Sequence, residues 1–242
     1  MTSPRQETRG SSRGVALDLD GVIVDGMPFH LQAWAEAFSA YGIDVTASEI
    51  YMLEGAKSEY VVDVICSTRD REMPLAQKNG IVSLKRKRYS EIFRVVPLHG
   101  ATTLIEVLCA YNYKLALVTG APAKSAQATL QHLAINQRFS ALISYETVSE
   151  GKPSAEPYLA ARSMLSVPPE NCLVIENAPL GIESAKSAGL PCLAVATYLD
   201  AQRLTRADLV LRNVEDCAPW FIEDFRRTGG VGRWRLGGAN DA

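Results

Sequence analysis

The sequence predicts a doubly wound α/β fold, a parallel sheet carrying an inserted all-helical cap, and three observations predict it. Short apolar runs suited to buried strands recur at 15–17, 114–118, 141–144, 172–176, 192–196 and 209–211. From the second run onward most are separated by helix-length segments, and alternating strand and helix implies parallel pairing, because parallel strands need crossover connections. Between the first and second runs lie about ninety residues without a convincing strand, too many for one crossover helix.

The elements follow in order. Val15-Ala16-Leu17 is a strand of small and branched residues that ends in Asp18-Leu19-Asp20-Gly21. Residues 28–41 read as a helix, Thr46-Ala47-Ser48-Glu49 has capping-box order and opens another, and 59–68 and 81–93 read as two more. Residues 27–96 are therefore expected to form a helical cap, with Pro97 and Gly100 marking the return to a core of residues 14–26 and 97–227. Within that core Pro122 is expected early in a helix, and Gly189 where the helix at 182–188 stops. Residues 1–13 and the Gly-rich stretch 228–242 read as flexible tails.

At 242 residues, 47% hydrophobic and 21% charged, the chain is long enough for a well-buried core. A net charge of -2 provides no overall drive toward nucleic acid or an anionic membrane, and no apolar stretch is long enough to span a bilayer. Residues 1–13 lack an apolar core and do not read as a secretory signal. The five cysteines are odd in number, far apart and free of any C-x-x-C pair, which argues against a disulfide framework or thiolate zinc site and for a reducing cytoplasm. No Gly-rich nucleotide fingerprint occurs, so neither a nucleoside triphosphate nor a dinucleotide cofactor is expected.

Four polar points fall at or just after predicted strand ends. Asp18 and Asp20 share one face of the first strand, and two like charges so close call for a cation, a shared proton, or both. Taken alone, such a pair is more often a turn or capping cluster than a catalytic site. Val118-Thr119-Gly120 ends the second strand with a hydroxyl and free backbone N–H groups that suit an anion such as phosphate, although Thr119 could also be a plain N-cap. Gly151-Lys152-Pro153 frames a lysine between two backbone-restricting residues. Glu176-Asn177 ends the fourth strand with hard oxygen donors of the kind Mg²⁺ prefers, with Asn177 as a helix cap the alternative.

In this order and spacing, Asp18-x-Asp20-Gly21-Val22-Ile23-x-Asp25, Val118-Thr119-Gly120, Gly151-Lys152-Pro153 and Val174-Ile175-Glu176-Asn177-x-x-x-Gly181 resemble the four motifs of the haloacid dehalogenase superfamily. The resemblance runs from Gly14 to about Leu211. It extends to Asp25-x-x-x-x-His30-x-x-Ala33-Trp34, which resembles the start of the helical cap in the branch containing β-phosphoglucomutase and many small-metabolite phosphatases. It implies a Rossmann-like core with that cap set over the carboxyl ends of the strands, where ligands of open α/β sheets bind. It also implies that Asp18 is the nucleophile and that Asp20 protonates the leaving oxygen and then activates water. Thr119, Gly120 and Lys152 would bind phosphoryl oxygens, and Mg²⁺ would sit on Asp18, the Asp20 carbonyl, and Asn177 or Glu176.

Three positions depart from the pattern. Asn177 stands where a second acid is common, so metal affinity is expected to be lower and an Asp there to raise it. Gly26 replaces a small polar residue, and Gly55-Ala56-Lys57-Ser58 replaces the Val-Ser-Arg sequence of mutase-type caps. Lys85-Arg86-Lys87-Arg88 reads as a solvated helix face rather than a nucleic-acid site, with Lys85, Lys57 and His30 as candidate substrate contacts. His99 and His132 carry no functional weight. The expected activity is Mg²⁺-dependent hydrolysis of a small phosphorylated metabolite, a sugar phosphate or phosphoglycolate-like acid. A sugar-phosphate mutase is the alternative within the fold, and a phosphometabolite-binding protein without turnover the alternative outside it.

Overall fold

The computed structural model describes residues 12–236. Strands β1 (Gly14–Leu17), β2 (Lys114–Val118), β3 (Ala141–Ile143), β4 (Cys172–Glu176), β5 (Cys192–Val195) and β6 (Leu209–Leu211) form one parallel sheet in the order β3-β2-β1-β4-β5-β6. The order reverses at β1, which places the ends of β2 and β4 on either side of Asp18. Register carries this to the atomic level: Leu17 pairs with Leu117 and with Ile175, and the Asp18 N–H donates to the Ile175 carbonyl at 3.1 Å.

The two faces of the sheet bury different side chains, because successive residues of a strand point to opposite sides. Leu17, Leu115, Leu117 and Ile175 face one apolar layer with α5 (Ala101–Ala110), α6 (Ala123–His132) and α9 (Cys217–Thr228). Ala16, Ala116, Val118 and Val174 face the other with α7 (Glu156–Leu165) and α8 (Pro179–Ser187). Small residues on that second face admit Tyr158 and Ala161 of α7, both fully buried.

Between β1 and β2 lie α1 (Met27–Ser39), α2 (Ala47–Met52), α3 (Ser58–Ser67) and α4 (Leu75–Ile92), which enclose a third apolar cluster that includes Trp34, Phe38, Ile65 and Ile81. The capping box at Thr46 forms as the sequence spells it, with the Glu49 side chain accepting from the Thr46 N–H at 2.8 Å. The chain leaves and re-enters the core through adjacent segments. Asp25 N–H donates to the Val96 carbonyl at 2.8 Å, and Leu98 N–H donates to the Ile23 carbonyl at 3.0 Å.

Several boundaries differ from the sequence reading. Helix α4 begins at Leu75 rather than 81, because Asn79-Gly80 reads as a break but lies inside the helix. Pro122 caps α6 instead of lying within it. The expected flexible stretch at 228–242 is docked as far as it is described: Trp234 and Leu236 are buried against the first apolar layer. The Trp234 indole N–H donates to the Asn171 carbonyl at 3.0 Å. Arg13, expected in a tail, is buried beneath it and paired with Asp224 at 2.5 Å. The remaining tail residues, 1–11 and 237–242, lie outside the described residues.

Candidate active site

The end of β1 is followed by one tight turn. Val24 N–H donates back to the Leu19 carbonyl at 3.0 Å and Gly21 N–H to the Val24 carbonyl at 2.8 Å. Gly21 has φ +87°, a conformation that side chains with a Cβ rarely adopt, and a Cβ there would strike the Asn177 amide. The turn therefore sets Asp18, Asp20 and Asn177 together at the carboxyl edge of the sheet.

Lys152 is the cationic centre. Its buried ammonium forms an ion pair with Asp18, donates to Glu176 Oε1 at 2.5 Å and reaches the Val118 carbonyl at 3.5 Å. Burial works against this charge, but Asp18 and Glu176 outweigh it and hold Lys152 above the ordinary lysine range. Glu176 is saturated. Its Oε1 also accepts from the Tyr158 hydroxyl at 2.7 Å, and its Oε2 accepts from the backbone N–H groups of Asn177 and Ala178 at 2.9 and 3.3 Å. Glu176 thus positions Lys152 rather than presenting a free oxygen, whereas Asn177 Oδ1 is buried with no partner among the described residues.

Burial pushes the Asp18 carboxyl up to about 8 against the pull of Lys152, with Glu176 and Asp20 pushing the same way. Glu54 of the cap joins this acidic group. It is buried, its Oε2 accepts from Asn177 Nδ2 at 2.7 Å, and burial together with Asp18, Asp20 and Glu176 raises it well above the usual carboxylate range. Four carboxylates around one lysine favour a further cation. The orphaned buried atoms Glu54 Oε1 and Asn177 Oδ1 fit the oxygen-donor chemistry of a hard divalent ion such as Mg²⁺. Among the described residues no three His, Cys, Asp or Glu side chains converge as a ready-made ligand group, so the donors would include the Asn177 amide and a backbone carbonyl.

Asp20 leans toward the cap linker. Its Oδ1 fills the space that a Cβ on Gly26 would occupy, so the departure at position 26 makes room for the acid. Its Oδ2 lies 3.8 Å from His30 Nε2. On the other side of that ring, Lys85 Nζ is 3.0 Å from Nδ1. Burial, and then Lys85, hold the imidazole below its ordinary value, so His30 is neutral at pH 7 and accepts from Lys85. Lys85 itself is buried, 5.1 Å from the Trp34 ring centre and 4.9 Å from that of Tyr89. This corrects the reading of residues 85–88 as one solvated face: Arg86 and Lys87 are exposed, while Lys85 points inward.

A cavity of about 780 Å³ lies between cap and core, lined by Asp18, Asp20 and Gly120 below and by His30, Trp34, Lys85 and Tyr89 above, with His132 also on its wall. Lys57 is not on it. Its ammonium donates to the Ser149 carbonyl at 2.6 Å and stitches the cap loop to the core, and its side chain lines an adjoining small recess together with Thr119, Gly120 and Lys152. Thr119 is buried, its Oγ1 accepts from Ala121 N–H at 3.1 Å, and with Lys152 it lines a small recess under Gly55. Glu54 and Tyr158 escaped the sequence reading. One is a lone acid before a loop glycine, the other a helix residue with an apolar role to hand, and neither pattern signals a site.

The sequence pattern described as haloacid dehalogenase-like hydrolase matches residues 13–189. A validoxylamine A 7'-phosphate phosphatase from Streptomyces hygroscopicus subsp. limoneus is 30% identical over 202 residues, covering 82% of this chain and 92% of its own. A β-phosphoglucomutase from Bacillus subtilis is 30% identical over 210 residues, covering 84% and 91%. The structure of a protein described as "Putative beta-phosphoglucomutase from Bacteroides vulgatus" superimposes with a TM-score of 0.79 at 26% identity, covering 88% of this chain and 90% of that one. The chain therefore belongs to the haloacid dehalogenase-like hydrolases, in the branch of β-phosphoglucomutase and the capped phosphatases, and is a phosphoric monoester hydrolase.

Proposed function

We propose that the protein is a Mg²⁺-dependent phosphatase of a small phosphorylated metabolite, a sugar phosphate or phosphoglycolate-like acid, working through an aspartyl phosphate on Asp18. The observation that carries this reading is the buried Lys152 bridge between Asp18 and Glu176, set beside Asp20 below a cavity of metabolite size. In the first step an Asp18 oxygen attacks phosphorus as the ester P–O bond breaks, and Asp20 donates its proton to the departing oxygen. In the second, Asp20 takes a proton from water as that water attacks phosphorus, and the bond to Asp18 breaks, releasing inorganic phosphate and restoring both carboxyl groups. Lys152 and Thr119 hold phosphoryl oxygens throughout, while Lys152 removes part of the repulsion between Asp18 and an anionic substrate. Mg²⁺, held by Asp18, the Asp20 carbonyl and Asn177, would neutralise charge on the transferring group.

Hydrolysis is favoured over mutase chemistry by Lys57, which spends its charge on the Ser149 carbonyl where mutase-type caps carry an arginine. The test is a phosphate-release screen over sugar phosphates, phosphoglycolate and nucleoside monophosphates, with product isomers analysed. Turnover with Mg²⁺ that chelator abolishes and Ca²⁺ does not restore is the expected result, because Ca²⁺ is larger and accepts more ligands. Full activity in excess chelator, or isomerised phosphate ester in place of free phosphate, rejects it.

A further inference from the structure

The cap reaches Asn177 of the core through the side chain of Glu54. Glu54 follows α2, and the loop it opens is laid on the core: Ala56 forms a parallel bridge with Lys152, and Lys57 is anchored to Ser149. Glu54 is 7% exposed and Asn177 1% exposed. In its ionised form, the one a neighbouring cation would favour, Glu54 only accepts hydrogen bonds, and the 2.7 Å contact from Asn177 Nδ2 to Glu54 Oε2 fixes the amide. The amide oxygen is thereby left over, buried beside Gly21 and without a partner among the described residues. Glu54 Oε1 is likewise buried and unpartnered.

We propose that Glu54 is a cap-borne positioning residue for the divalent-cation site of the core: it holds the Asn177 amide, leaves that residue's Oδ1 free for the cation, and supplies the negative charge that position 177 lacks. The proposal rests on the Mg²⁺ reading above. Its consequence is linkage. Glu54 meets Asn177 only when the loop 54–57 lies on the core, so cation binding and cap closure must favour each other to the same degree. It also reverses the expectation that Asn177→Asp tightens binding. An Asp there would face Glu54 across a hydrogen-bond distance, so the two carboxyl groups would have to share a proton, and the site would gain no net charge.

The test is Mn²⁺ binding to the substrate-free protein, followed by the electron paramagnetic resonance of free Mn²⁺, in wild type, E54Q, E54A, N177D and E54Q/N177D. The double variant exchanges acid and amide between the two positions and keeps both the hydrogen bond and the total charge. E54Q and E54A are expected to weaken binding about 10- to 100-fold, the range for residues that orient a ligand from behind. N177D is expected to bring no gain when residue 54 is Glu, but a gain of about tenfold or more when it is Gln. Far-UV circular dichroism and thermal unfolding verify that each variant is folded, and E54A gives a second reading should E54Q restore its own amide contact. An E54A affinity within about twofold of wild type, or an equal effect of N177D in both backgrounds, overturns the proposal. Wild-type protein that binds no Mn²⁺ rejects the metal reading itself, a distinct outcome.

Discussion

Lys85 and His30 are joined at 3.0 Å through Nζ and Nδ1, and the opposite nitrogen of the same ring lies 3.8 Å from Asp20. A cap lysine is thus linked through a neutral imidazole to the expected acid and base of the core. Burial pulls Lys85 down to about 8 against the attraction of Asp20, so its charge is sensitive to pH where most lysines are not.

The sign of the resulting stability effect follows. Between a folded value of about 8 and the unfolded lysine value of roughly 10.4, the unfolded chain binds more protons, so this group's contribution to stability rises with pH. Below about 8 the lysine is charged in both states and the full cost of burying it stands. Lys85→Met should therefore be the more stable protein at neutral pH and lose that advantage as pH rises, measured by urea midpoints on either side of the folded value. If Lys85 also meets an anionic group of the substrate, KM for wild type should climb toward that of the variant across the same window. A constant KM ratio would assign Lys85 to structure alone.

The two opening aspartates should separate by substrate. Asp18→Asn removes the attacking carboxylate and is expected to lower turnover by decades for every ester. Asp20→Asn should cost about 10²- to 10⁴-fold with a sugar phosphate, whose alkoxide needs a proton, but far less in the phosphorylation step with p-nitrophenyl phosphate. Rapid-quench mass spectrometry should then show a burst of nitrophenolate and phosphate retained on Asp18. Equal losses on both substrates without phosphoprotein would remove Asp20 from the acid–base role.

Glu176 and Tyr158 touch the same ammonium network at different depths. Tyr158→Phe deletes one hydrogen bond to a charged acceptor, worth about 1.5–3 kcal/mol of stability, and should leave kcat nearly unchanged because Lys152 keeps both carboxylates. Glu176→Gln breaks a buried ion pair, with an expected cost of about 3–5 kcal/mol, and should depress kcat as well. Urea unfolding beside steady-state kinetics distinguishes the two, and an inactive Tyr158→Phe would place its hydroxyl in the chemistry.

Away from the site, Arg13 and Asp224 form a fully buried pair that ties the start of β1 to α9. The guanidinium also lies 4.0 Å from the Trp234 ring centre and donates to the Gly232 and Arg233 carbonyls at 2.8 and 3.1 Å. Arg13→Met should destabilise the protein by about 3–5 kcal/mol, since among the described residues Asp224 would keep only Arg227 at 3.3 Å as an ionic partner. The double change Arg13→Met, Asp224→Leu should recover most of that loss. A single variant as stable as wild type would show that Arg227 suffices.

Features that repeat locally are legible in the chain alone. Strand alternation, the capping box at Thr46 and the polar residues at strand ends place Asp18, Asp20, Thr119, Lys152, Glu176 and Asn177 at one edge of a parallel sheet, because strand ends in a doubly wound fold must converge. The tertiary structure alone decided which of these atoms meet. Glu176 spends its oxygens on Lys152, Tyr158 and two backbone N–H groups, while Asn177 finds Glu54 from the cap, 123 positions away. Lys85 looks solvated in a run of four basic residues, and Arg13 looks like tail. Both are buried by segments distant in the chain, Arg13 beneath the returning C-terminal stretch and Lys85 against Trp34 and His30. Such partners come from loop and cap placement, which no local periodicity encodes, and a charge without a visible neighbour in sequence reads as one facing water.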